Sequence, residues 1–293
     1  MDGVIVVDKP EGWTSHDAVA RVRRLAGTRR VGHLGTLDPI ATGVLPLVIG
    51  RATRLSQFYA RSEKVYEGTI RFGLSTDTYD RQGSPTSPET EPVIDAGQLD
   101  RALDAFRGTF MQKPPPVSAK KIAGVPAYKM ARQQAEAELK LVEVTVEEAR
   151  VLGVEGRDAR VLVRCSAGTY LRSIAHELGT IFGCGAHLLD LRRTRSGEFT
   201  IDQARAIPEL EDLAAEGRLE EALVPAAALL SEFPAEYVDD LAERQIRQGR
   251  DFAVSPFRVR RGAQYVKAVN RAGELVAIGE IRLPNLYHPF VVL

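Results

Sequence analysis

The residues best suited to chemistry lie in one short stretch, Gly32-His33-Leu34-Gly35-Thr36-Leu37-Asp38-Pro39-Ile40-Ala41-Thr42-Gly43-Val44-Leu45-Pro46. Three glycines and two prolines constrain its path. Pro39 has no N–H and biases Asp38 away from the α region. A carboxylate held in such a loop suits a nucleophile or a base. The other reading is an Asp-Pro turn with a solvated or capping Asp38. Local chemistry leaves both open. No second acid lies close enough in sequence to make a glycosidase pair. The residue two positions after Asp38 is Ile40, not an acid, so an aspartyl-phosphate phosphatase fits poorly.

Weaker candidates lie elsewhere. Gly168-Thr169-Tyr170-Leu171-Arg172 places Tyr170 and Arg172 at the start of a helix. A cation there opposes the helix dipole. Arg172 is therefore expected to have an anionic partner, unless it is simply exposed. Tyr66, between Lys64 and Glu67, reads equally as a half-buried core side chain. Lys9-Pro10-x-Gly12 is a common kind of turn. The stretch from His187 to Arg195 carries three Arg and suits a phosphate-facing strand or a charged edge. The sequence has no G-x-x-x-x-G-K-[ST] loop and no G-x-G-x-x-G fingerprint. Five His and two Cys show no zinc spacing.

The elements that must position these residues alternate without a regular βαβ rhythm, which favours an α+β sheet domain over a doubly wound one. Strands are expected at Gly3 to Val7, Val44 to Ile49, Val65 to Phe72, Leu141 to Val146, Ala159 to Ser166 and His187 to Arg195. Tyr66, Ile70 and Phe72 share one face of the third. Helices are expected from Ser15, as N-cap, to Leu25, around Leu99 to Phe106, from Gly168 to Phe182, from Glu209 to Ala228, and around Val238 to Ile246. Gln112 to Tyr128, with Pro114-Pro115-Pro116 and Lys120-Lys121, reads as an excursion from the core. A domain boundary is expected near Glu232.

The chain has 293 residues, 44% hydrophobic and 27% charged, so disordered, collagenous and membrane classes do not fit. Two cysteines suit a reducing compartment, no signal-like apolar run opens the chain, and a cytoplasmic protein is expected. Lys plus Arg and Asp plus Glu are both 39, a net charge of zero. The zero is an average. Residues 20–64 hold nine basic and two acidic side chains, 104–134 six and one, and 244–293 nine and three. Residues 201–243 hold two basic and twelve acidic. Three basic segments on one face would suit phosphates, and scattered solvated charge is the alternative.

Taken together, several motifs resemble the tRNA pseudouridine synthase B family, in the family's order over residues 3–200. They are Lys9-Pro10-x-Gly12-x-x-Ser15, Gly32-His33-x-Gly35-Thr36-Leu37-Asp38-Pro39-x-Ala41-Thr42-Gly43, Lys64-Val65-Tyr66, and Gly73 to Asp80. Pro115 to Arg132, Cys165-Ser166-x-Gly168-Thr169-Tyr170-x-Arg172, Gly183 to Leu188 and Leu191-Arg192-Arg193 complete the set.

The resemblance implies an isomerase that converts uridine 55 of the tRNA T loop to pseudouridine. It makes Asp38 the nucleophile, attacking C1′ of the ribose or C6 of the uracil. Asp38, Tyr66, Arg172 and Tyr170 are its catalytic set. Tyr66 would stack on the target base and help remove the C5 proton. Arg172 would offset the desolvation of the Asp38 carboxylate. His33, Lys9, Gly35, Thr36, Asp77, Lys121 and Leu191 would bind substrate, with His33 entering the T loop to support the flipped uridine. The implied fold is α+β, a mainly antiparallel sheet flanked by helices, over 1–232. Residues 110–132 would form a thumb-like insertion. A small β-rich, PUA-like RNA-binding domain is expected over 233–293.

No metal, organic cofactor, membrane or guide RNA is implied, and a monomer is expected. The thumb segment separates this reading from guide-RNA-dependent synthases, which lack it. An additional tRNA-folding role would survive loss of Asp38. A metal-dependent hydrolase has little support in the ligand inventory.

Overall fold

The computed structural model describes residues 1–116, 140–257 and 262–293, with the backbone of 121–122 and 125–126. Most of the segment expected as a thumb, and the side chain of Lys121, lie outside the described residues.

The strands are β1 (Gly3–Lys9), β2 (Val31–His33), β3 (Ala41–Ile49), β4 (Lys64–Phe72), β5 (Gly108–Gln112), β6 (Lys121–Ile122), β7 (Val125–Pro126), β8 (Val142–Glu155) and β9 (Asp158–Cys165). They continue with β10 (Ala186–Ser196), β11 (Phe199–Thr200), β12 (Arg205–Ala206), β13 (Leu223–Pro225), β14 (Ala235–Tyr237), β15 (Phe252–Ala253), β16 (Tyr265–Val269), β17 (Leu275–Leu283) and β18 (Leu286–Val292). The helices are α1 (Ser15–Leu25), α2 (Ala96–Leu103), α3 (Leu171–Ile181), α4 (Ile207–Ala215) and α5 (Asp240–Arg247).

Eleven strands form one sheet along the path β12-β1-β3-β10-β4-β9-β8-β5, with β2, β11 and β13 attached to its members. Among the described residues of this sheet, only the β1–β12 and β3–β10 pairs are parallel. The fold class is therefore the expected mixed, mainly antiparallel α+β. Strand β4 alternates as its sequence requires: Lys64, Tyr66, Gly68, Ile70 and Phe72 are buried, and their neighbours are half-exposed. The faces of α1, α2, α3 and α4 carrying Val19, Leu99, Ile174 and Leu210 close over one side of the sheet in a single core.

The second sheet, β14-β16-β17-β18-β15, packs on the opposite side. Its Val269, Leu275, Ile278 and Val291, with Leu293, share one apolar cluster with Val4, Val6, Val44, Val48 and Leu55 of the large sheet and its flank. Lys267 Nζ donates to the carbonyls of Ala227 and Leu229, at 3.1 and 2.9 Å. Arg54 Nη1 donates to the Val292 carbonyl at 2.6 Å.

Several expectations need correction. Thr14, not Ser15, is the N-cap of α1, and it forms a capping box with Asp17. Glu209 to Ala228 is not one helix. α4 ends at Ala215, Gly217 follows at φ +71°, and Leu223–Pro225 pairs with β1 instead. The backbone hydrogen bonds of a sheet edge outweigh the helical preference of an Ala/Glu-rich run. β10 is a central strand between β3 and β4, not a charged edge.

Candidate active site

The Asp38 loop joins β2 to β3 and is fixed from three directions. Ser15 Oγ, freed from capping, accepts the Leu37 N–H at 2.9 Å and donates to the Leu37 carbonyl at 3.2 Å. Arg193 is buried and donates to the carbonyls of Val44, Thr36 and Gly35, at 2.7, 3.2 and 3.1 Å. At Gly43, φ is +97° and a Cβ would lie 2.3 Å from the Arg193 carbonyl oxygen, so only glycine permits that approach. The Gly/Pro pattern thus records a loop pressed against β10.

Helix α3 brings Arg172 to this loop. Its Nε lies 2.9 Å from Asp38 Oδ2, and its Nη1 lies 3.5 Å from Asp80 Oδ2 and donates to the Thr78 carbonyl at 3.0 Å. The Arg172 side chain is 5% exposed, that of Asp80 7%, and that of Asp38 32%. The Nε contact is an ion pair without hydrogen-bond alignment. The cost of a cation near a helix N-terminus is offset by these two carboxylates. Asp80 is itself held by the Thr78 hydroxyl and the Gln82 N–H.

A cavity of about 610 Å³ opens above the pair. Asp38 is its one carboxylate among the described lining residues. His33, Gly35, Thr36, Tyr66, Tyr170, Leu191 and Arg172 all line it, so most of the expected site residues converge. Burial pushes the Tyr66 phenol up, partly countered by the nearby Arg193 cation. A resting phenolate is therefore disfavoured, which suits a stacking ring better than a ready base. His33 is pushed down by burial and by the neighbouring His16 and Arg193. Its ring meets His16 edge-on at 5.9 Å.

Two expected binding residues lie off the cavity wall. Lys9 is fully buried and donates to the carbonyls of Pro10 and Trp13, at 2.9 and 2.7 Å. It braces the turn before α1. Asp77 is exposed and accepts the Ser84 N–H at 2.8 Å. The acid of that turn that reaches Arg172 is Asp80. Sequence reasoning also missed the bracing role of Arg193 and the exposure of Lys64 to the cavity. Two acids in one turn offer no choice until their partner is placed. No cluster of three metal-ligating side chains gathers among the described residues.

A family model described as the N-terminal domain of TruB family pseudouridylate synthase matches residues 23–171. A second, the tRNA pseudouridylate synthase B C-terminal domain, matches 172–231. The chain belongs to the TruB family of pseudouridylate synthases. This TruB-family chain is 62% identical to tRNA pseudouridine synthase B of Solibacter usitatus (strain Ellin6076) over 100% of both chains. It is 52% identical to the enzyme of the same name in Thermobifida fusca (strain YX), over 71% of this chain and 74% of that one. Among solved structures, an H/ACA RNP bound to a substrate RNA containing 2′-deoxyuridine includes a similar chain. The TM-score is 0.72 at 25% identity, over 99% of this chain and 84% of that one. A Cbf5-Nop10-Gar1 complex gives 0.71 at 26%, over 98% and 83%.

The acidic stretch 201–243 contributes no residue to the cavity wall. Part of it is neutralised within the protein: Arg21 Nε donates to Glu211 Oε1 at 2.6 Å, and Arg218 pairs with Glu216 and Glu221.

Proposed function

We propose that this chain isomerises uridine 55 of the tRNA T loop to pseudouridine, with Asp38 as nucleophile. The observation that carries the reading is the one carboxylate among the described lining residues, Asp38, paired with the buried Arg172. An anion in a partly shielded site needs such a partner. Attack by Asp38 at C1′ or at C6 starts from the same geometry. The N1–C1′ bond breaks, the uracil turns, C5 bonds to C1′, the bond from Asp38 to C1′ or C6 breaks and returns its electron pair to the carboxylate, the C5 proton leaves and N1 gains one. Tyr66 supplies a ring face for the extruded base, and Leu191 and Tyr170 bound the pocket. Extrusion costs a few kcal/mol, which contacts to the RNA must offset.

The chain acts on the T arm as a monomer, without guide RNA, in the cytoplasm. Support for a tRNA substrate comes from the enzyme name of its relatives, and for pseudouridine formation from membership of the TruB family. Among the described residues no helix is long and apolar enough to cross a membrane. Residues 1–232 form the catalytic domain and 233–293 a PUA-like RNA-binding domain, a division supported by the separate five-stranded sheet.

The test is incubation with an unmodified T-arm stem-loop. Pseudouridine is expected at the T-loop position with the original chain, and none with Asp38→Asn, whose RNA affinity stays within several-fold. Full turnover by Asp38→Asn sinks the nucleophile assignment.

A further inference from the structure

The charges around the cavity do not balance. Among the described residues, the buried cations on its wall are Lys64, Arg172 and Arg193. Among the described residues Asp38 is the one lining carboxylate, and Arg172 engages both it and the buried Asp80. Lys64 and Arg193 both line the cavity. Neither forms an ion pair among the described residues. Arg193 binds backbone carbonyls, and Lys64 Nζ donates to the Ser62 carbonyl at 2.8 Å. The two side chains approach each other at Gly35. A Cβ built there would lie 3.5 Å from Lys64 Cε and 3.6 Å from Arg193 Nη1. Gly35 sits at φ +140°, and with no side chain it leaves that approach open.

Buried charge without a counter-ion is costly, and proteins avoid it unless a ligand completes the site. Burial and the neighbouring Arg193 push the Lys64 ammonium down to about 8, which is the direction of an unmatched cation. An ammonium with spare donors beside a guanidinium, facing a cavity across a bare glycine, has the chemistry of a phosphate site.

We propose that Lys64 and Arg193, meeting at Gly35, form a phosphate subsite that holds a backbone phosphate flanking the extruded uridine. The inference rests on the reading of this cavity as the isomerisation site. The subsite supplies the contact energy that holds a nucleotide out of its stack. It also places the sugar relative to Asp38, because the subsite and the carboxylate line the same cavity. Lys64 would be the adjustable member. Arg193 already spends its donors on the loop and contributes charge.

The test uses the full chain and three variants of the RNA stem-loop. One is unaltered. The other two carry a neutral methylphosphonate on the 5′ or the 3′ side of the target, each compared with a matched phosphodiester. The protein variants are Lys64→Met, which removes the charge at similar volume, and Lys64→Arg, which keeps it. Affinity, single-turnover rate and salt dependence are read. Lys64→Met is expected to bind about tenfold more weakly, with a log–log salt slope smaller by about 1, and Lys64→Arg to recover most of both. One methylphosphonate is expected to weaken the original chain by a similar factor and Lys64→Met hardly at all. Unchanged affinity and slope in Lys64→Met overturn the subsite. So do losses that simply add for both phosphates. Absence of pseudouridine from the original chain with unaltered RNA would instead overturn the reading of the cavity itself.

Discussion

Replacing Arg172 tests the centre of the site most directly. Its guanidinium faces two ways, with Nε toward Asp38 and Nη1 toward Asp80 and the Thr78 carbonyl. Arg172→Lys keeps the charge but offers one point of contact, so it cannot hold both carboxylates in this geometry. Losing one charge-assisted contact to the reacting carboxylate, together with its orientation, amounts to about 3 kcal/mol, or roughly a hundredfold in rate. Arg172→Ala goes further. It leaves Asp80, with a side chain 7% exposed, as a buried carboxylate without its cation. Breaking such a pair from one side destabilises by about 3–5 kcal/mol. The rate is read in single turnover from release of tritium at C5 of a labelled uridine in the T-arm stem-loop. Stability is read by urea unfolding. Adding Asp80→Asn to Arg172→Ala is expected to restore part of the lost stability and none of the rate, which separates the two roles. An Arg172→Lys variant that releases tritium as fast as the original chain would refute the reasoning.

Two other outcomes follow from the same geometry. Lys64 is held near 8 when folded and titrates near 10.5 when unfolded. Its burial penalty is therefore full below pH 8 and fades as pH rises from 8 to 10.5, where the unfolded chain binds more protons. Lys64→Met should stabilise the free protein at pH 7 by about 2–3 kcal/mol, and the gain should shrink by pH 10. Equal unfolding midpoints at pH 7 would contradict this. Gly43→Ala would set a Cβ 2.3 Å from the Arg193 carbonyl. We expect the loop to shift away from β10, with turnover lost well before RNA binding; a crystal structure of the variant with an undisturbed Asp38 loop would contradict it.

The sequence carried the site's chemistry better than its scaffolding. Asp38 in a Gly/Pro loop and Arg172 at an awkward helix position are local anomalies, and an anomaly is visible without a fold. The partner demanded by Arg172 was legible as a need, and the structure supplies two. Arg193 was not legible, because a buried arginine and an exposed one look alike in a strand. Its role depends on the parallel β3–β10 pairing, which joins segments 150 residues apart at Thr42 and Arg192. The broken helix after Ala215 failed for a similar reason. Its Ala/Glu-rich sequence favours helix, and the bare edge of β1 decides otherwise.

The cluster shared by the two sheets has a consequence for selecting RNA. Val4, Val48 and Leu55 on one side and Leu275, Ile278 and Val291 on the other exclude water together, so the tail cannot swing freely. It sits at a fixed span and angle from the cavity. An RNA arm that touches both must present its two contact points at that separation. With the tail as an RNA-binding surface, as proposed, the protein would work as a gauge: arms of the wrong length or bend would meet one surface and miss the other.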